Sequence, residues 1–178
     1  MANLELPLQS RMFANDGIAI APIGSLERVS LRADDSAFAS IEKVLGLTLP
    51  KKPKTSVTKD DRTALWIGPD EWLILGQDNA SLMQAFGKLR SQKFSAVDVS
   101  HRNCAIQISG ENAVMVLNTG CPQDLSLKAF PVGACSRTVY AKAEIILLRT
   151  GENEFHLECW RSFSDYVWKF LLDSATSL

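Results

Sequence analysis

The sequence contains no GxGxxG, no GxxxxGK[ST], no HExxH and no GxSxG, and its four cysteines include no CxxC pair. The missing glycine loops remove the usual phosphate and dinucleotide cradles, and the missing His and Cys spacings remove a zinc site and a dithiol redox site. Histidine is scarce as well: His101 and His156 are the only two, so acid–base chemistry has few candidates. No stretch approaches about 18 consecutive apolar residues, and Met1–Pro7 lacks the basic and apolar regions of an export signal, so the expectation is a soluble, cytoplasmic chain. Charge of one sign is lacking too. Nineteen Lys and Arg offset twenty Asp and Glu, a net of −1, which argues against a nucleic-acid or membrane partner held by the field of the whole molecule.

What remains is an ordinary globular composition: 178 residues, 46% hydrophobic and 22% charged. A chain of this length buries roughly 70% of its unfolded surface, enough for a core without staples. Cys104, Cys121, Cys135 and Cys159, spaced by 17, 14 and 24 positions, therefore read as reduced, buried thiols.

Periodicity predicts two halves of similar grammar. In the first, Ile18–Pro22 and Glu27–Arg32 are strands, with Val29 and Leu31 alternating against Arg28, Ser30 and Arg32. A helix follows, started by Asp34 or Asp35, striped by Phe38, Ile41 and Leu45, and stopped by Gly46. Residues 50–62, with four Lys and two Pro, read as a solvated basic loop. Strands at Ala64–Gly68 and Trp72–Leu75 flank the turn Gly68–Glu71, and a second helix runs Ala80–Gln92. The second half has strands at Ala96–Val99 and Asn103–Ser109, a helix over Gly110–Thr119, and an irregular Cys121–Cys135. Strands at Ser136–Tyr140, Glu144–Arg149 and Glu154–Trp160 come next, then a helix Phe163–Leu172 whose stripe is Phe163, Tyr166, Val167, Phe170 and Leu171. The fold class is α+β: two ββαββα-like halves, 1–92 and 93–178, packed as one unit, with mainly antiparallel sheets and helices on one face.

Few residues stand out as chemistry. His156 sits on the outward face of a strand and reads as a solvated or capping side chain. His101 closes the crowded turn Asp98-Val99-Ser100-His101-Arg102, best read as a self-bonded strand stop. Trp72, Trp160, Trp168 and Arg161 are residue types that both cores and interface hot spots favour, and they are the interface candidates.

A family resemblance rests on longer stretches. LWIGPDEWLIL (65–75), DVSH (98–101), SGENAVMVLNTGCPQDL (109–125), FPVGACSRT (130–138), AEIILLR (143–149) and FHLECWRSFSDYVWKFL (155–171) closely resemble the gamma subunit of heterotetrameric sarcosine oxidase, over roughly residues 63–172. The resemblance implies the folate-binding aminomethyltransferase fold (that of the T-protein of glycine cleavage) and assembly with alpha, beta and delta chains. It implies a complex that oxidatively demethylates sarcosine to glycine, with tetrahydrofolate as co-substrate and acceptor of the one-carbon unit. FAD, FMN and NAD are then expected on the alpha and beta chains and zinc on the delta chain, with no catalytic residue, metal or cofactor on this one. The T-protein likeness singles out Asp124, in Gln123-Asp124-Leu125, as a folate-site candidate; Asp before a short turn also serves as an ordinary cap, the reading preferred here. The alternative function is a freestanding folate-binding or aminomethyltransferase-like one-carbon protein.

The chain purified alone is expected to show no flavin or nicotinamide absorption and no stoichiometric zinc in a metal assay. A yellow chromophore or one zinc per chain would contradict the reading.

Overall fold

The computed structural model describes residues 7–77, 81–89 and 93–177. Eleven strands among them form two wholly antiparallel sheets, confirming the α+β class. In chain order the elements are β1 (Phe13–Asn15), β2 (Ile18–Ile23), β3 (Leu26–Ala33), α1 (Phe38–Leu45), β4 (Ser56–Lys59), β5 (Arg62–Gly68), β6 (Glu71–Gln77), α2 (Leu82–Gly87), β7 (Phe94–Asp98), β8 (Asn103–Ser109), α3 (Ala113–Asn118), β9 (Cys135–Tyr140), β10 (Ala143–Gly151), β11 (Glu154–Trp160) and α4 (Ser164–Thr176).

The chain divides differently from the expected halves. Residues 1–24 join 102–178 in one unit, and 25–101 form the other. Sheet pairing explains the boundary: β2 aligns against β8, from Ala19 opposite Ser109 to Ile23 opposite Ala105, so the N-terminal strands belong to the six-stranded sheet β1-β2-β8-β11-β10-β9.

In the unit of residues 25–101, the five-stranded sheet runs β4-β5-β6-β3-β7. Val29, Leu31, Ala64, Trp72 and Ile74 face Phe38, Ile41 and Leu45 of α1 and Leu82 and Phe86 of α2 in one core. Asp34 caps a 3₁₀ turn, Asp35–Ala37, that leads into α1, and the helix stops as the sequence predicts. Asp34 accepts the Ser36 amide ahead of the helix, and Gly46 ends it at φ 66°, a left-handed conformation that costs glycine little. The predicted basic loop is corrected in part: its second half forms β4, which pairs Ser56 to Leu65 and Lys59 to Arg62. An edge strand this short, with Val57 its one large apolar residue, carries almost no periodic signal. The helix expected over Ala80–Gln92 is α2 at Leu82–Gly87; Ala80 and residues 90–92 lie outside the described residues.

In the other unit the core-facing residues of β2, β8, β10 and β11 (Ile18, Ile20, Ile106, Ile108, Ile145, Leu147, Phe155, Leu157) pack with α3 and α4. Gly110 stands at φ 124°, where any Cβ would lie 2.3 Å from the Gly17 carbonyl oxygen, so backbone contact demands glycine there. All four cysteines are free and buried, as expected of core thiols. The stripe predicted for the last helix needs correction. Its buried face is Ser164, Val167, Trp168, Leu171, Ser174 and Ala175, whereas Phe163 and Tyr166 are 42% and 38% exposed. Phe163 belongs to a 3₁₀ turn, Arg161–Phe163, whose tighter winding shifts it out of phase with the α-helix behind it. Phe170 is half-buried, its ring edge-on to Tyr140 at 5.2 Å.

Replacing fully buried Leu171 by Ala is expected to cost about 2–5 kcal/mol, while Lys169→Ala on the opposite face stays within about 0.5 kcal/mol. Urea midpoints of both variants check the face assignment. Equal losses would contradict it.

Candidate functional site

The sequence-nominated residues do not converge on one site. In the turn after β7, Asp98 Oδ1 accepts the Ser100 amide at 2.9 Å and the Ser100 hydroxyl at 2.6 Å, and Ser100 Oγ in turn accepts the Arg28 amide at 3.0 Å. Side-chain and main-chain bonds from Ser100 hold the Asp98 carboxyl below the usual carboxylate range, with a smaller contribution from His101. Asp98 and Ser100 thus carry the turn on to β3, and His101 is exposed.

Asp124 is also a turn residue. It is exposed, and its Oδ1 accepts the Ser126 amide at 2.8 Å, which, with the Ser126 hydroxyl and the Lys128 charge, lowers its pKa. The Ser126 carbonyl then takes the Ala129 and Phe130 amides at 3.1 and 2.8 Å. The carboxylate is engaged by its own backbone, the arrangement of a cap.

Why this loop holds a fixed shape is answered by a residue the sequence reading passed over. Arg149, at the end of β10, is 2% exposed. Its Nη1 donates to the carbonyls of Leu125 at 2.8 Å and Phe130 at 2.7 Å, its Nε reaches Gly151 and Glu152, and its Nη2 bonds Glu152 again. The guanidinium lies 4.8 Å over the Phe155 ring, and the Arg149 main chain pairs with Gly133 and Ala134. Burial lowers its pKa, and the Glu152 charge partly opposes that. One signal pointed to it. Ile145 and Leu147 face the core, so the period-2 rule puts Arg149 on the same inward face, where an arginine needs a reason.

His156 departs from the solvated reading. Its Nε2 lies 2.7 Å from Glu158 Oε1, with the two side chains 11% and 0% exposed. The alternation of β11 places both on the face opposite Phe155 and Leu157, so the imidazole serves a buried carboxylate.

The tryptophans separate cleanly. Trp72 is 1% exposed, donates Nε1–H to the Pro50 carbonyl at 2.8 Å, and stands edge-on to Phe38 at 5.2 Å. Trp168 lies in the core under α4. Both are core residues of their own units. Trp160 is 45% exposed, with the Arg102 guanidinium 5.9 Å over its ring, and the neighbouring Arg161 amide donates to the Arg102 carbonyl at 2.8 Å. Of the three nominated tryptophans, Trp160 alone offers a surface for recognition.

The open depressions among the described residues include one lined by Asn15–Ala19 and Ser109–Glu111 and one lined by Arg32–Asp34, Asp70 and Lys93–Ser95. Neither includes Asp124, His101, His156 or a nominated tryptophan. Among the described residues, no three His, Cys, Asp or Glu side chains are placed to hold a metal ion, and no helix is long and apolar enough to cross a membrane.

Comparisons with known proteins add what geometry does not. The model of the sarcosine oxidase, gamma subunit family matches residues 31–177. The chain is 29% identical over 161 residues to the sarcosine oxidase subunit gamma of Corynebacterium sp. (strain P-1), covering 88% of this chain and 79% of that one. It is 28% identical over 163 residues to the same subunit of Arthrobacter sp., covering 89% and 80%. Its fold matches a chain of the heterotetrameric sarcosine oxidase of Corynebacterium sp. U-96, solved with pyrrole 2-carboxylate, at a TM-score of 0.88 and 24% identity, covering 96% and 90%. It also matches the glycine cleavage system aminomethyltransferase T of Bartonella henselae at 0.67 and 11% identity, covering 88% of this chain and 45% of that one.

Arg149→Lys is expected to lower stability by about 2–5 kcal/mol, because one ammonium cannot reach the carbonyls that the guanidinium fork serves, and each buried group left unsatisfied costs about 1–3 kcal/mol. Amide exchange at Ala129 and Phe130 should speed up in the same variant. Unchanged stability and exchange would show that the loop holds itself.

Proposed function

The chain belongs to the sarcosine oxidase gamma subunit family, and from that membership we propose that it is an assembly subunit of a heterotetrameric sarcosine oxidase rather than its catalyst. The observation that carries the proposal is the family match over residues 31–177; the likeness in fold to a chain of the Corynebacterium sp. U-96 heterotetramer accords with it. The complex oxidatively demethylates sarcosine to glycine and passes the one-carbon unit to tetrahydrofolate. Its partners are the alpha, beta and delta chains, and FAD, FMN, NAD and zinc reside on those partners. The setting is the cytoplasm.

The state of the nominated groups supports a structural role. Asp124 Oδ1 accepts the Ser126 amide, as a turn-capping carboxylate does. Its Oδ1 serves the turn, and no catalytic step is assigned to it. Asp98 is taken up by Ser100, and His156 sits against buried Glu158. The likeness to the Bartonella henselae transferase concerns the fold alone.

Asp124→Ala in the fully reconstituted complex is expected to leave sarcosine turnover within about twofold of the parent, with or without tetrahydrofolate. A general acid–base group contributes about 10²–10⁴-fold, so a catalytic part for Asp124 would show plainly in turnover per assembled complex. A hundredfold loss with assembly intact would make this subunit a participant in the chemistry.

A further inference from the structure

The surface where β11 hands over to α4 is built unlike the rest of that helix. Trp160, Phe163 and Tyr166 follow one another at three-residue spacing, and they are 45%, 42% and 38% exposed. Two of them are held by neighbours. Trp160 carries the Arg102 guanidinium on its ring, the Tyr166 hydroxyl accepts the Lys142 amide at 3.4 Å, and its ring lies 6.3 Å from that of Phe170. Three aromatic side chains in a row thus leave apolar area exposed at the strand-to-helix turn.

The charges around them have a sign. Arg102 lies on Trp160, Arg161 follows it, Lys142 adjoins Tyr166, and exposed Lys169 stands one helical turn beyond Tyr166. Of the acids on the same stretch, Asp165 is paired with Arg11 at 2.6 Å and Asp173 lies two turns beyond Tyr166. A second copy docked here by a twofold axis would set these cations against themselves, and like charges across an interface cost several kcal/mol.

We propose that Trp160, Phe163 and Tyr166, rimmed by Arg102, Lys142 and Lys169, form the docking surface for a companion chain of the oxidase complex, one whose contacting surface presents apolar side chains flanked by carboxylates. The assignment rests on the subunit reading above and deepens it by naming the surface and the chemistry it seeks. The aromatic centre supplies the desolvated contact and the cationic rim steers and orients the approach.

The test uses the full chain and the companion subunits purified without it, with binding followed by interferometry at two salt concentrations. Trp160→Ala and Phe163→Ala should each weaken binding at least about tenfold, mainly through faster dissociation. The double variant Arg102→Glu, Lys169→Glu should slow association and abolish its salt dependence. Val97→Ala, an exposed apolar change in the unit of residues 25–101, should alter neither. Unfolding midpoints accompany every variant, and the surface-charge pair keeps the test decisive should Trp160→Ala fold poorly. Parent binding with unaltered affinity in the aromatic and charge variants would overturn the surface assignment while leaving the subunit reading intact. A parent chain that binds no companion would overturn both. Self-association of the isolated chain that Trp160→Ala abolishes would replace the companion with a second copy.

Discussion

A guanidinium buried without a carboxylate organises the least regular part of the unit that holds both termini. Arg149 answers four main-chain carbonyls, two from the long loop between α3 and β9 and two from the β10–β11 turn, and lays its flat face on Phe155. A loop this long without regular structure has many buried polar groups to satisfy, and one planar donor fork satisfies several in fixed geometry. The consequences run outward. Leu125 and Phe130 lie in the core with their carbonyls held, and the Asp124–Ala129 segment closes into short turns capped by its own side chains. Asp124 Oδ1 caps a turn of this loop, which the end of β10 holds from beneath.

Much of this architecture was legible in the chain. The 3₁₀ turn that leads into α1 follows from Asp34, the end of α1 from Gly46, and most strands from period-two alternation, because in those segments one residue decides its own conformation. Legibility failed where distant partners decide. Nothing local in Ile18–Pro22 says that it pairs with Asn103–Ser109 more than eighty residues on, so the unit boundaries were misplaced. β1 and β4 are edge strands of three and four residues, too short to register a pattern. The aromatic stripe of α4 misled because Phe163 is wound in a 3₁₀ turn, and because small Ser164, Ser174 and Ala175 occupy much of the buried face. Trp72 and Trp168 illustrate the ambivalence of tryptophan: composition fits core and interface alike, and only burial separates them from Trp160.

The site candidates sort by the same physics. Asp98 and Asp124 are engaged by turn amides and His156 by a buried glutamate, His101 is exposed, and the aromatics of the β11–α4 corner keep exposed area bordered by positive charge. Interior order and exposed recognition are what an assembly subunit needs. The chain belongs to the sarcosine oxidase gamma subunit family, and its fold matches a chain of a heterotetrameric sarcosine oxidase.

The composition of the native assembly decides whether this chain works as a subunit. Native mass spectrometry of material captured through an affinity tag on this chain, from the organism that encodes it, weighs that assembly while sarcosine turnover is followed in the same fraction. The expected result is one copy of this chain with three different companion chains, and turnover that disappears from the chain once it is separated. Recovery of the chain alone, or of the separated chain retaining turnover, would contradict the account.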